Sequence, residues 1–365
     1  MTPVKYQPLY IAATGQHMGK TTTALGLVRS LRDCGLRAGF MKPVGQSYVV
    51  VDGDKIDEDV VLIRDTFRTE DRLTDMSPIT VERGFTEEHI FARDRLRLRR
   101  RVQDCYARLV EGKDAMIIEG TGHAGVGSCF GLSNADVAEA IGCRALIVSG
   151  GGIGRPIDEI ALSASLFASR GVPTIGAVLN KVLPEKYEKV KRVVTAGLGN
   201  MGMRLLGCAP FTASLTYPTV GQLLHHVELD VLAGEKYLNN RVEQRIVAAM
   251  KPEHMQQYLR DRTLVITPGD RTDNIEVCID EHMADGPPRL AGFVLTGGLV
   301  PPEPTMEHLR QARLPVLLSR EDTATASRRI NEIVFKIEPT DTDKIDAAQK
   351  MVRRYVDVNL ILSNL

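Results

Sequence analysis

Near the start of the chain, Thr14-Gly15-Gln16-His17-Met18-Gly19-Lys20-Thr21 puts two glycines, an ammonium and a hydroxyl into one turn. Such a set suits a phosphate. Successive backbone N–H groups at a helix N-terminus wrap the anion, a lysine adds positive charge, and a threonine hydroxyl helps to hold Mg2+. The apolar run Leu9 to Ala13 reads as a strand before the turn, and Thr22 to Leu31 as a helix after it. Context and spelling therefore agree on a P-loop, with Thr14 standing where the consensus has its first glycine. Lys20 and Thr21 are the expected phosphate and metal contacts, within a binding segment from Thr14 to Thr22. The competing reading is a glycine turn that merely lets a helix pack on a strand.

Further groups belong at the same edge, because ligands of open parallel sheets collect beyond the carboxyl ends of the strands. Lys42, ending the run from Arg37, is placed to meet a phosphate or an anionic co-substrate; a solvated lysine before a Pro turn is the alternative. Glu119 ends the run Ala115 to Ile118 and is followed by Gly120-Thr121-Gly122, so it suits Mg2+ directly or through water. The acidic run Asp52, Asp54, Asp57, Glu58 and Asp59 offers a second metal carboxylate, Asp59 ahead of Asp57, although acids at a helix start also answer the helix dipole.

These groups need an α/β frame, and the chain has one. Short apolar runs alternate with amphipathic ones, the sign of β-α-β units and a parallel sheet. Strands are expected at Leu9 to Ala13, Arg37 to Lys42, Ala115 to Glu119, Ala145 to Ser149, Thr174 to Leu179 and Arg204 to Gly207. The rhythm breaks near Pro210 to Gly221, and a mostly helical stretch is expected from Leu223 to Leu259. A second α/β series follows, with strands at Thr263 to Thr267, Leu290 to Thr296 and Leu314 to Leu318. The segment Asp343 to Val358 has helical spacing and is expected to pack on that second unit. The domains are thus 1–212 and 213–365. The chain has 365 residues, 43% hydrophobic and 25% charged, with Lys+Arg 46 against Asp+Glu 46. No net charge draws it to nucleic acid or an anionic membrane. The six cysteines form no C-x-x-C pair and no apolar stretch is long enough to cross a bilayer, so a cytoplasmic protein is expected.

In order, Thr14-Gly15 with Gly19-Lys20-Thr21, Lys42-Pro43-Val44, Glu119-Gly120, Gly150-Gly151-Gly152-Ile153-Gly154, Val178-Leu179-Asn180-Lys181 and Gly207-Cys208-Ala209-Pro210 make residues 1–210 resemble the dethiobiotin synthetase-like branch of P-loop proteins. They resemble more closely the N-terminal domain of long bacterial phosphotransacetylases. The resemblance implies ATP and Mg2+ as cofactors, Lys20 and Thr21 on the phosphates and metal, and Asp59 and Glu119 completing the metal site. It implies Asn180 facing the base, Lys42 in the role of the family's catalytic lysine near a carbamate, and a homodimer. The substrate side departs: His123-Ala124-Gly125-Val126-Gly127 replaces the family's usual glycine run. An ATP-dependent ligase is therefore the alternative, and a nucleotide-dependent regulatory or sensing protein the leading expectation. A nucleotide-switched partner of a separate transferase is the third reading.

In the second unit, Thr263 to Thr267 runs into Pro268-Gly269-Asp270-Arg271-Thr272, and Leu290 to Leu295 into Thr296-Gly297-Gly298. Two strand ends would offer free N–H groups, a guanidinium and small hydroxyls to a small anionic ligand; helix capping and a tight turn are the alternative. Asp270-Arg271-Thr272 with Thr296-Gly297-Gly298 resembles the DRTGG domain, which implies regulatory ligand sensing. No acetyl-transfer domain follows by Leu365, so this chain alone is not expected to be a complete phosphate acetyltransferase. Arg93, Arg95, Arg97, Arg99, Arg100 and Arg101 form the dense basic run, expected in one helix from Glu87 to Val110. Residues 95 and 97 diverge on a helix, so a solvated face or subunit contact is expected there and no nucleic-acid partner. His123, His225 and His226 lack partners at metal-ligand spacing.

Overall fold

The structure, a computed structural model, describes residues 5–92 and 94–365. The chain divides into two units: residues up to Thr212 with Ile337–Leu365, and Ala213–Lys336. The family of arrangements is α/β in both.

In the first unit the strands are β1 (Leu9–Ala13), β2 (Ala38–Met41), β3 (Val44–Gly45), β4 (Tyr48–Val51), β5 (Asp54–Asp57), β6 (Ile79–Thr80), β7 (Ala115–His123), β8 (Arg144–Ser149), β9 (Thr174–Val182) and β10 (Leu205–Pro210). The main sheet runs in the order β10-β9-β8-β1-β7-β2, and its pairings are parallel. Parallel strands carry helices on both faces and so read as unbroken apolar runs; β1 is buried along its whole length. Leu9 stands opposite Ile117 of β7 and Arg144 of β8, and Ile11 opposite Glu119. This register sets the end of β1 beside the end of β7. Between β2 and β7 the chain adds the hairpin β4–β5 and four helices: α2 (Glu58–Phe67), α3 (Leu73–Met76), α4 (Phe85–Ala92) and α5 (Arg95–Leu109). Helix α1 (Lys20–Asp33) leads from β1 back to β2.

Three expectations need correction. The single helix from Glu87 to Val110 is two, α4 and α5, with Asp94 before α5 in a non-helical conformation; Arg93 lies outside the described residues. The C-terminal helix, observed at Thr342–Tyr355, belongs to the first unit instead of the second. Gly26 on α1 explains the docking: a Cβ there would come within 2.2 Å of the Val352 side chain, so only a glycine admits this close approach. The stretch Leu223 to Leu259 is not mostly helical. It holds β11 (Asp230–Ala233) and β12 (Gln244–Val247), each only four residues long, too short for period-2 alternation to stand out against its surroundings.

In the second unit those strands join β13 (Thr263–Pro268), β14 (Gly292–Thr296) and β15 (Val316–Leu318) in the order β11-β15-β14-β13-β12. All pairings are parallel except β11 with β15. Val265, Phe293, Leu295 and Val316 point into one apolar core and Leu264, Ile266, Val294 and Leu317 into another, as the alternation of a strand requires. Among the described residues no helix is long and apolar enough to cross a membrane.

Candidate functional site

The turn after β1 is held from both sides. The Thr14 amide donates to Val148 O at 3.0 Å, and the Thr14 and Ser149 hydroxyls meet at 3.0 Å, which fixes the loop to the end of β8. Asn180 at the end of β9 donates from Nδ2 to Met18 O at 3.1 Å, and Lys181 Nζ donates to His17 O at 2.7 Å. Gly19 has φ +98, and a Cβ on it would lie 2.0 Å from Asn180 Nδ2; glycine is required there for both reasons. Gln16 and His17 are exposed at the crest, while Lys20 is buried. The Met18 side chain lies against Gly15 and Gly150, so the glycine loop after β8 adjoins the crest.

Lys20 folds back under the turn, its Nζ 3.3 Å from both Gly15 O and Gly122 O. Thr21 Oγ1 donates to Glu119 Oε1 at 2.9 Å. Glu119 Oε1 also accepts from Lys42 Nζ at 2.8 Å, and Lys42 reaches Asp59 Oδ2 at 2.5 Å. Thr21, Lys42, Asp59 and Glu119, drawn from four separate segments, thus form one connected set. Thr22 follows within the first turn of α1. Asp57 serves differently, capping α2 by accepting from the Asp59 amide at 2.9 Å.

The set is almost dry: Glu119 is 0% exposed, Lys42 5% and Asp59 5%. Burial opposes the charge on Lys42, but Asp59 and Glu119 outweigh it and hold the ammonium well above the ordinary lysine range. Burial pushes the Glu119 carboxyl upward while Lys42 pulls it back. Burial prevails and the carboxyl stays above its ordinary range, with the neighbouring Asp59 carboxylate adding to the rise. Glu119 Oε2 has no hydrogen-bond partner, and a buried acceptor left so costs about 1–3 kcal/mol. That oxygen marks where a cation or water would be stabilised. Among the described residues no three His, Cys, Asp or Glu side chains gather in metal-binding geometry. Mg2+ asks for less, since it takes one or two carboxylates and draws the remaining ligands from phosphates and water. The donors present fit it.

Sequence reasoning missed the support beneath Glu119. Tyr10 OH donates to Asn134 Oδ1 at 2.8 Å, the Thr121 amide donates to the same oxygen at 3.1 Å, and Asn134 Nδ2 donates to Thr121 O at 2.7 Å. This network fixes the backbone that follows Glu119. No local spacing announces it, because Tyr10 and Asn134 are joined only by the fold.

The second unit also gathers its predicted residues at the ends of β13 and β14, but their polar groups are engaged within the chain. Arg271 donates to both carboxylate oxygens of Asp273 at 2.9 and 3.0 Å, and to Ala249 O and Met250 O at 3.2 Å. Thr296 and Thr323 hydroxyls meet at 2.7 Å. The expectation of free N–H groups after β14 is corrected: the Gly297 amide donates to Glu321 O at 2.7 Å and that of Gly298 to Ser319 O at 2.9 Å. Asp270 is exposed, and Thr272 opens the helix Thr272–Met283.

Family comparison agrees with this architecture. An AAA domain model matches residues 7–219 and a DRTGG domain model residues 222–333. The phosphate acetyltransferase of Nitratidesulfovibrio vulgaris is 26% identical over 366 residues, covering 98% of this chain and 51% of that protein. The phosphate acetyltransferase of Synechocystis sp. is 25% identical over 365 residues, with the same 98% and 51%. The chain spans about half the length of these relatives. The MinD cell division protein of Aquifex aeolicus aligns at 14% identity over 57% of this chain and 84% of its own, with a TM-score of 0.36, too low to support inference. With its P-loop, parallel sheet and matched span of more than half the residues, the chain belongs to the AAA domain family and carries a DRTGG domain at residues 222–333.

Proposed function

We propose that the first unit binds ATP with Mg2+ at Thr14–Thr22, and that the chain works as a nucleotide-dependent regulatory or sensing protein related to the N-terminal region of phosphotransacetylases. The observation that carries this reading is the meeting of Lys20, Thr21 and Glu119 at the end of β1. In this reading the amides of the turn wrap the phosphates. Lys20 exchanges the carbonyls of Gly15 and Gly122 for phosphate oxygens, a stronger, charge-assisted pairing. Thr21, Glu119 and Asp59 hold Mg2+, whose bound charge offsets that of the phosphates. Lys42 offsets the charge of the buried carboxylates, and Asn180 and Lys181 hold the crest through its carbonyls. The cysteines are free, which supports a reducing cytoplasm.

Calorimetric titration of ATP, with and without Mg2+, tests the reading. Binding that strengthens with Mg2+ and weakens roughly a hundredfold in Lys20→Ala is expected. Absence of heat in every condition, or a Lys20→Ala variant indistinguishable from the parent, would overturn it. Lys42 is engaged by two carboxylates instead of facing a co-substrate, so the ligase reading ranks lower; dethiobiotin made from diaminopelargonic acid, CO2 and ATP would reverse that ranking. A third reading is a nucleotide-switched partner of a separate transferase, which pull-down with and without nucleotide would test.

A further inference from the structure

The basic run of α5 divides by direction. Arg99 pairs with Glu139 and Arg95 lies over Gly131. Arg97, Arg100, Arg101 and Arg108 instead recur at helical spacing on another face and line a single cavity of about 570 Å³. Arg72, before α3, closes the same cavity from the opposite element.

Only Arg108 among these is neutralised, by Asp75, which it meets at 2.6 Å through Nη2 and 3.1 Å through Nε. That fork holds the Asp75 carboxyl below its ordinary range. Arg72, Arg97, Arg100 and Arg101 pair with no carboxylate among the described residues, while Asp54 and Asp104 are the other acids of the lining. Five arginines against three aspartates leave a formal charge of +2. Like charges at i, i+4, as at Arg97 and Arg101, work against a helix, and an anion held between them would relieve that repulsion. Guanidinium forks match phosphate oxygens in pairs, and the volume falls within the range of small-molecule sites. No aromatic side chain lines the cavity, which removes the stacking platform on which single-stranded nucleic acids settle.

We infer that this cavity is a second anion site, separate from the P-loop, that takes a small molecule presenting two or more linked phosphates. Arg72, Arg97, Arg100 and Arg101 bind the phosphates, and the Arg108–Asp75 pair fixes the wall between α3 and α5. The inference stands whether or not the P-loop takes nucleotide.

The probe is inorganic tripolyphosphate, titrated calorimetrically into the full chain carrying Lys20→Ala, so that the P-loop does not compete. Binding is expected to persist in that background and to fall roughly a hundredfold when Arg97→Gln and Arg101→Gln are added, at about tenfold for each guanidinium removed. Arg72→Gln alone, on a different element, should weaken it roughly tenfold; Arg95→Gln should leave it unchanged. Circular dichroism checks that each variant is folded. Loss of all binding on Lys20→Ala would overturn the inference, as would Arg97 and Arg101 variants that bind like their background. So would an Arg95→Gln effect as large as the others. A single-stranded RNA oligomer that binds more tightly than tripolyphosphate through the same arginines would overturn the choice of ligand.

Discussion

The turn after β1 and the turns after β13 and β14 look alike in sequence, each a strand running into glycine, with Lys20 and Arg271 close behind the first two, yet the fold uses them in opposite ways. After β1, charged side chains converge: Lys20, Lys42, Asp59 and Glu119 meet around Thr21, and one carboxylate oxygen stays unsatisfied. After β14, the glycine amides close onto the backbone carbonyls of Glu321 and Ser319, and after β13 Arg271 is held by Asp273 and two carbonyls. Glycine and arginine at a strand end do not make a cradle by themselves. What decides is whether neighbouring chain has already taken the donors.

The strongest way to break this contrast is Lys42→Met. If the first turn depends on charge, removing the single ammonium leaves Asp59 and Glu119 buried together without it. Stripping one partner from a buried ion pair costs about 3–5 kcal/mol. Urea unfolding of the variant at pH 7 should show a loss of that order. A loss below about 1 kcal/mol, the range of exposed pairs, would mean that solvent reaches the cluster and that its charges are not the organising element.

Gly269→Ala addresses the other turn. A Cβ there would stand 1.7 Å from Leu299 O, a backbone atom that cannot rotate away. Overpacking of this kind costs typically 1–3 kcal/mol and the upper end, about 3, is expected. Tripolyphosphate or nucleotide should not restore the loss, since the turn is closed by its own carbonyls. Full recovery of Tm on adding either anion would show instead that the turn opens to a ligand, and the contrast with the first unit would collapse.

The two turns were not equally legible before the fold was known. Lys20 and Thr21 are adjacent in sequence, and the roles proposed for them follow from local order. Lys42, Asp59 and Glu119 were each visible as charges at strand or helix ends, but their meeting depends on the sheet order β1-β7-β2, which no local pattern encodes. Lys42 was readable as a cation at a strand end, but its pairing with Asp59 and Glu119 was not. The amphipathic stripe of the C-terminal helix, Ile345, Ala348 and Val352, was readable, yet a stripe does not say which face it meets. Gly26, a glycine inside an otherwise good helix, was the available sign of that contact. In the second unit the motif was readable and the occupancy of its amides was not, because Ser319 and Glu321 follow the next strand, β15.

The smallest expected effect sharpens the contrast through pH, since a unit organised by neutral hydrogen bonds should resent a proton that a charge cluster tolerates. His282 accepts from the Leu290 amide at Nδ1, 3.0 Å away, and its Nε2 meets Ala312 O at 3.1 Å. This is the neutral Nε2–H tautomer, and burial lowers its pKa from the ordinary 6.5. As pH falls below that value, the unfolded chain binds a proton that the folded unit resists, so stability declines until the folded group itself titrates. Between pH 7.5 and 5.5 the second unit's transition should fall by roughly 2 °C more in the parent than in His282→Gln. Calorimetric scans across that window measure it. Equal slopes in the two proteins would show that the imidazole changes protonation as readily in the folded chain as in the unfolded one, and that the second unit is not held together in the way its backbone contacts imply.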